Sequence, residues 1–346
     1  MKILHCADLH LDAPLQGYEE LKEKVLTIPG KLLDICRQES CDLVLIAGDI
    51  FHGPYTKQSF RILSHALAEM AVPVCITPGN HDFLSSESPY MTEIWPDNVH
   101  IFKNSQMEKY VLPGISIWGA GFTAMDCPGL LNGFTAEGEG LQIGLLHADI
   151  TPNAPCCPIT KKQIAASGLS YLALGHIHKG DIFTAGDTLC AYPGCAYGRH
   201  FGENGEKGVL IYDTEDRSHR FIPLGLPAFY EYTAPVVTTA ADAIAHCLPV
   251  VGDENYYRIT LTGHCQHPDL PALRECFSHF PRLTLRDETL PPLDIWQDVG
   301  SDSFSGQYFS LLKENMDAAP EEDKALWELA ARLSRQILDG EEVILP

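Results

Sequence analysis

The chain has 346 residues, with 24 Lys and Arg against 46 Asp and Glu, a formal net charge of −22. That balance excludes a basic nucleic-acid coat protein, and a composition of 45% apolar and 20% charged residues excludes wholesale disorder. The length suits two domains of roughly 100–200 residues each. No stretch approaches the ~20 apolar residues that span a bilayer, and MKILHCADLH runs into a polar turn rather than a signal-peptide core. A cytoplasmic location is therefore expected. The 12 cysteines are scattered, contain no C-x-x-C pair, and read as reduced thiols that mostly fill core space.

In chain order, Lys2–Ala7, Asp42–Ala47 and Val72–Thr77 are short strand-like runs. Between them, Glu19–Glu39 and Lys57–Met70 carry apolar residues at helical spacing, such as Ile62, Leu63, Leu67 and Met70. This alternation predicts βαβ units with crossover helices. From Val99 the pattern changes to short strands punctuated by Gly and Pro: Val99–Phe102, Ile115–Ala120, Leu141–His147, Tyr171–Leu174, Thr188–Tyr192, Gly208–Tyr212 and Arg220–Pro223. A second sheet stacked on the first accounts for them, giving a four-layer α/β sandwich over residues 1–226.

The Gly- and Pro-bearing segment Leu224–Tyr230 marks a domain boundary. Beyond it, Tyr230–Ala234, Tyr256–Thr262 and Arg282–Arg286 read as strands and Ala240–Cys247 and Leu270–Phe280 as helices, a smaller α+β capping domain over 227–290. Residues 291–346 form an acidic helical segment with helices at Phe304–Asn315 and Glu321–Leu338; from Asp287 onward, 14 acidic residues face 4 basic ones. Residues 1–226 net −10 and the remainder −12, so the acidity is concentrated toward the C-terminus.

Five short motifs follow apolar runs: D-x-H at Asp8 and His10, G-D at Asp49, G-N-H-D at Gly79–Asp82, a lone His147, and G-H-x-H at His176 and His178. Each polar group emerges where a buried strand ends, and in open α/β sheets ligands bind at the carboxyl ends of strands. Carboxylate, imidazole and amide oxygen together suit Mn, Fe or Zn, whereas an all-oxygen set would favour Mg or Ca. The period of two along a strand places Asp8 and His10 on one face. The glycines before Asp49, Asn80 and His176 are read as allowing a sharp backbone turn.

The ordered set D-x-H, G-D, G-N-H-D, H, G-H-x-H resembles the calcineurin-like metallophosphoesterase superfamily. Within it, ADLHLDAPL, IAGDIFHG, TPGNHD, ALGHIHK and YPGCAYGRHFGENGEKG look like the SbcD-type DNA repair exonucleases, especially a branch of shorter bacterial SbcD-like proteins. The resemblance is strong over about residues 1–225. It implies two divalent metal ions, Mn2+ first, with Fe or Zn as the other options. One would be held by Asp8, His10, Asp49 and His178, the other by Asp49, Asn80, His147 and His176, with Asp49 bridging. It further implies that His81 is the catalytic histidine beside the leaving oxygen, that Asp82 orients it, and that His52 contacts the phosphate. Two cations ~3.5–4 Å apart can lower the pKa of a shared water and neutralise phosphate charge during in-line attack.

Arg199 and His200, in a Gly-rich segment after a predicted strand, are candidates for substrate contact, and Lys103, Lys109, Lys161, Lys162, Lys179 and Lys207 for phosphate-backbone contacts. The charge of −22 opposes autonomous binding to duplex DNA. The resemblance supplies a partner, an SbcC-like coiled-coil ATPase docking on a C-terminal helical segment. Here Leu326, Leu329, Leu333 and Ile337 share one helical face suited to that or to packing on the chain's own core. The leading expectation is a DNA phosphodiesterase, a nuclease subunit able to form a homodimer through this domain. The alternatives are a phosphodiesterase or phosphatase for small phosphoesters, and an assembly module for such an ATPase.

Overall fold

The computed structural model describes residues 1–151, 154, 156–292 and 294–340. The chain divides into two compact units, Met1–Phe229 and Tyr230–Pro346. The first half of the larger unit runs β1 (Lys2–Cys6), α1 (Leu21–Val25), α2 (Ile28–Gln38), β2 (Leu43–Ala47), α3 (Lys57–Met70), β3 (Val74–Thr77), the single turn α4 (Pro89–Thr92) and β4 (Val99–Ile101). Then come β5 (Glu108–Leu112), β6 (Ile115–Gly119), β7 (Leu141–His147), α5 (Lys161–Ala166), β8 (Tyr171–Gly175), β9 (Asp181–Ala185) and β10 (Thr188–Tyr192). Finally β11 (Gly208–Asp213) and β12 (His219–Pro223) rejoin the first sheet.

The two sheets have six strands each, in the orders β12-β11-β1-β2-β3-β4 and β5-β6-β7-β8-β10-β9. Strands β1 to β4 are mutually parallel, with Ile3 opposite Leu43 and Val44 opposite Val74, and β6, β7, β8 and β10 are parallel in the second sheet. Strands buried on both faces must be apolar throughout, which explains uninterrupted runs such as LVLIA in β2, all five residues buried. Ile3, Leu43, Leu45 and Cys75 of the first sheet meet Ile117, Ile143, Leu145 and Ala173 of the second in one hydrophobic core between the sheets.

Alternate residues turn outward. Leu146, Leu172, Leu174 and Cys190 pack against Phe122, Leu131, Ile159 and Ile164, so α5 and the segments around it cover the second sheet. The crossovers place α2 and α3 on the outer face of the first, each with a buried apolar stripe that includes Leu32 and Ile35 or Phe60, Leu63 and Leu67. The expected α/β class with two stacked sheets is therefore present. All five ligand-bearing strands, β1, β2, β3, β7 and β8, deliver their C-terminal ends to one edge.

The local differences have physical causes. The helix expected over Glu19–Glu39 is two helices, because Pro29 lacks an N–H and its ring would clash with the carbonyl four residues back. The strands β5 and β9, absent from the sequence reading, are sheet edges. Most of their exposed positions are polar or charged, such as Lys109, Asp181 and Thr184, with Val111 the apolar exception, so neither shows a long apolar run. Helix α5, also unpredicted, starts with a capping box between Thr160 and Gln163.

The smaller unit holds a three-stranded sheet, β13-β14-β15, formed by β13 (Phe229–Pro235), β14 (Tyr256–Thr262) and β15 (Leu283–Asp287). With α6 (Ala240–Cys247) and α7 (Leu270–Cys276) it encloses a core around Ile244, Ile259, Leu261 and Phe280. Helix α7 stops at Cys276, short of the expected Phe280, and Arg274 donates to the carbonyls of Phe277 and Pro281 beyond its end. Two further helices, α8 (Phe304–Ala318) and α9 (Glu321–Leu338), enclose a small cluster of Ile295, Phe309 and Ala331. The expected apolar face of α9 is divided. Leu329 and Leu333 are half-buried, while Leu326 and Ile337 are 66% and 64% exposed. Among the described residues no helix is long and apolar enough to cross a membrane.

Candidate metal centre

Beyond β1 the chain bends in a way few residues tolerate. Asp8 and His10 have φ of 52° and 42°, and Asp49 and His176 have 51° and 95°, all left-handed and strained for non-glycine residues. Hydrogen bonds between loops hold these turns: Asp8 N to the Gly48 carbonyl at 3.0 Å, His10 N to the Asp49 carbonyl at 2.9 Å, and Ala196 N to the Asp8 carbonyl at 3.2 Å. Two of the three glycines act differently from the sequence reading. Gly48 does take a positive φ, but Gly79 and Gly175 do not. A Cβ on Gly79 would lie 2.2 Å from Asp49 Oδ1, and one on Gly175 would lie 1.8 Å from the Ala47 carbonyl oxygen. Close approach between strand ends, rather than turning freedom, is what requires them.

The seven candidate ligands converge. Asp8, His10 and His178 present donor atoms within 4.8 Å of one another, and so do Asp8, Asp49 and His147. His10 Nε2 lies 3.1 Å from His178 Nε2 and 3.8 Å from Asp49 Oδ2. His147 Nδ1 donates to the Ala47 carbonyl at 2.9 Å, which turns Nε2 toward Asn80 Oδ1 at 2.9 Å and Asp49 Oδ2 at 3.5 Å. His176 Nδ1 completes the group, 3.2 Å from Asn80 Oδ1. Asp8, His10, Asp49 and His147 are each at most 1% exposed. Carboxylate oxygens and imidazole nitrogens face one another across this cluster, while the backbone N–H groups of His81 and His176 bond Asp49 and Asp8. Such a convergence of buried lone pairs suits divalent cations, so the residues present fit a two-metal site with Asp49 between the two sets.

Electrostatics agree with a crowded centre. Burial pushes the Asp49 carboxyl up to about 7, with Asp82 and Asp8 adding to the rise against His147. Burial alone would lower His178, but its bonds to Asp8 and Glu203 outweigh that and raise it to about 9. His81 is lowered to about 4 by burial and by the neighbouring His52 and Arg199.

His81 and His52 stack beside the ligand cluster, ring centroids 4.4 Å apart and 21° from parallel. His52 Nδ1 also lies 3.1 Å from His10 Nδ1. Asp82, expected to orient the His81 imidazole, instead accepts from the backbone N–H groups of Ile50, Phe51 and Gly79 and from the Tyr90 hydroxyl at 2.6–3.1 Å. It ties the turn carrying His81 to the loop after β2. Arg199 reaches the cluster, with Nη2 3.1 Å from His178 Nδ1 and Nη1 3.5 Å from His52 Nδ1. His200 does not join it: its side chain is 60% exposed and its Nδ1 accepts from Gly202 N. Of the candidate lysines, Lys109 donates to the Glu137 carbonyl and Lys207 to that of Asn204.

The sequence reading missed Glu203. It is 6% exposed, sits 2.6 Å from His178 Nδ1, and accepts from Arg199 Nη2 at 2.8 Å. An acidic residue four positions after Arg199 in a Gly-rich segment was the available signal. Asp149, 3.8 Å from His176 Nε2, was also missed. A cavity of about 310 Å³ opens beside the site, lined by Pro54, Tyr55, His81, Phe83, Glu87 and Ser88 among others.

Known proteins resemble this chain to differing extents. It is 32% identical over 241 residues to an uncharacterized metallophosphoesterase, YhaO, of Bacillus subtilis, covering 61% of this chain and 57% of that protein. It is 26% identical over 216 residues to the DNA double-strand break repair protein Mre11 of Aeropyrum pernix, covering 56% and 53%. It is 22% identical over 307 residues to the SbcD component of nuclease SbcCD of Staphylococcus epidermidis, covering 76% and 79%. The chain thus spans about half the length of the first two. The calcineurin-like phosphoesterase family model matches residues 1–180. That span contains every candidate ligand from Asp8 to His178, and the chain belongs to the calcineurin-like phosphoesterase family.

Proposed function

We propose that this chain is a dinuclear-metal phosphodiesterase that hydrolyses phosphodiester bonds in DNA, as the nuclease subunit of a DNA-repair assembly. The observation that carries the reading is the meeting of seven candidate ligands, five of them buried, with the His52–His81 pair at one sheet edge. The similarity to Mre11 and to the SbcD component of nuclease SbcCD supports DNA as the substrate.

Asp8, His10, Asp49 and His178 would hold one cation and Asp49, Asn80, His147 and His176 the other. When bound, the two cations supply Lewis acidity, offsetting phosphate charge and making water acidic enough to attack near neutral pH. His81 donates an N–H to the oxygen on which charge develops as the ester bond breaks. His52, stacked on His81, and Arg199 face the phosphate oxygens. Asp82 keeps the His81 turn in register with the loop after β2 through its backbone bonds. The mixed carboxylate, imidazole and amide set suits Mn2+, Fe or Zn, and we take Mn2+ as the working ion.

The acidic surface makes an external DNA grip necessary. We assign it to an SbcC-like coiled-coil ATPase in the cytoplasm. Phe304, Leu311, Leu326 and Ile337, all exposed on α8 and α9, offer apolar contact for it. A homodimer through the larger unit belongs to the same reading. One feature favours small phosphoesters instead: among the described residues the cavity beside His81 is lined by Glu87 and by no Lys or Arg, which suits a compact uncharged leaving group better than a polyanion.

The test is cleavage of end-labelled single- and double-stranded DNA, and of bis-p-nitrophenyl phosphate, with Mn2+ and with EDTA. Metal-dependent cleavage of both, abolished by His81→Ala with metals retained, is expected. Cleavage of the generic diester alone would move the assignment to small esters or to a nuclease that needs its partner. Cleavage of neither, with the ATPase still bound, would leave an assembly module.

A further inference from the structure

We propose that Glu203 is a positioning residue that sets the His178 imidazole for the cation shared with Asp8 and His10. The inference rests on the dinuclear reading above. Glu203 Oε1 lies 2.6 Å from His178 Nδ1, short even for a charge-assisted bond, while His178 Nε2 on the far side of the ring lies 3.1 Å from His10 Nε2 and 3.6 Å from Asp8 Oδ1. A carboxylate at Nδ1 keeps the proton there and leaves the Nε2 lone pair directed into the cluster. It also fixes the ring's rotation and makes the nitrogen a better donor.

Glu203 is itself held. Its Oε2 accepts from the backbone N–H of Arg199 at 2.8 Å, its Oε1 from Arg199 Nη2 at 2.8 Å, and its own N–H donates to the His200 carbonyl at 2.9 Å. With the carboxylate 6% exposed and bound on both oxygens, it is held at the Nδ1 edge of the His178 ring. His147 is arranged differently, backed by a neutral carbonyl, Ala47, and the nearest carboxylate to the outer nitrogen of His176 is Asp149 at 3.8 Å. A close charged partner therefore singles out His178, and the effect of removing it should fall on one cation only.

The full chain is titrated with Mn2+ by calorimetry, alongside electron paramagnetic resonance of the bound ions. Wild type is expected to bind two ions and show a coupled pair. Glu203→Ala should weaken one site by roughly 10–100-fold and leave the other unchanged, replacing the coupled signal with that of an isolated ion at intermediate metal. Glu203→Gln keeps a carbonyl oxygen but not the charge, and should show a smaller loss at the same site. Arg199→Ala removes the guanidinium contacts to Glu203 Oε1 and His178 Nδ1 but keeps the backbone N–H bond to Glu203 Oε2, and should weaken the same site less than Glu203→Ala does.

Unaltered two-site binding in folded Glu203→Gln and Glu203→Ala would overturn the proposal. So would an equal loss at both sites with a lowered melting temperature, which marks a merely structural role, or an Arg199→Ala loss matching Glu203→Ala. If Glu203→Ala does not fold, the isosteric Glu203→Gln decides alone. Wild-type protein that binds no cation would instead overturn the dinuclear reading, and this inference with it.

Discussion

Replacing Gly79 by alanine tests whether the strand ends are pressed together to hold the central carboxylate. The new Cβ would meet Asp49 Oδ1 at 2.2 Å, the Asp49 backbone nitrogen at 2.6 Å and Cγ at 2.9 Å. Gly79 does not have a positive φ, so the perturbation is steric and not conformational. The carboxylate cannot simply rotate away, because Oδ1 accepts from His81 N at 2.9 Å, and the nitrogen cannot move without shifting the end of β2. Overpacking of this kind costs ~1–3 kcal/mol, and losing a hydrogen bond to a buried charged group adds ~1.5–3 kcal/mol. A loss of about 3–5 kcal/mol is expected in urea unfolding with EDTA present, together with weaker binding of both metals, since Asp49 faces both ligand sets. Gly30→Ala is the control: it lies in α2 with nothing within 4 Å of the added methyl, and should gain ~0.5–1 kcal/mol. A Gly79→Ala protein within about 0.5 kcal/mol of wild type, retaining both metals, would refute the reasoning.

Asp82→Ala strips partners from three backbone N–H groups and the Tyr90 hydroxyl, and should cost about 3–5 kcal/mol in denaturant unfolding; lost activity at undiminished stability would show that Asp82 serves His81 alone. His5, inside β1 with Nδ1 2.9 Å from the Tyr171 hydroxyl, is lowered to about 3 by burial, against smaller opposing effects of Leu174 and Asp8. The unfolded chain therefore takes up a proton near pH 6.5 that the folded one refuses, so stability from this group is complete above 6.5 and falls by ~1.4 kcal/mol per pH unit below it. Urea midpoints at pH 7 and pH 5 should differ less in His5→Gln than in wild type, and equal differences would contradict this. Arg335 is 2% exposed, donates to Asp298 Oδ2 at 2.6 Å and to the Ile295 carbonyl, and lies 4.0 Å over the Phe309 ring. Arg335→Ala should destabilise the smaller unit by ~2–4 kcal/mol and leave Mn2+ binding unchanged, with hydrogen exchange locating the loss around Phe309.

Much of the site was legible because its ligands come as short motifs directly after apolar strands, and a strand's end is a local property of sequence. The α/β class followed for the same reason: continuous runs such as LVLIA mark strands buried on both faces, and the spacing of Leu63, Leu67 and Met70 marks a crossover helix. Edge strands β5 and β9 escaped, since one exposed side and no second covering face leave no apolar run to read. Helix α9 shows the opposite failure. Its apolar spacing was plain, yet which leucines are covered depends on neighbours that spacing does not name.

What the sequence determined by itself is the inventory: which residue types stand at which strand ends, and hence a mixed carboxylate and imidazole chemistry. Tertiary structure decided the pairings, because these join groups far apart in the chain. Asp82 binds Ile50 and Phe51 rather than the neighbouring His81 ring, Gly79 makes room for Asp49, and Glu203 reaches His178 across 25 positions. Hydrogen bonds and steric contacts act over a few ångströms, and only the folded chain brings such residues that close.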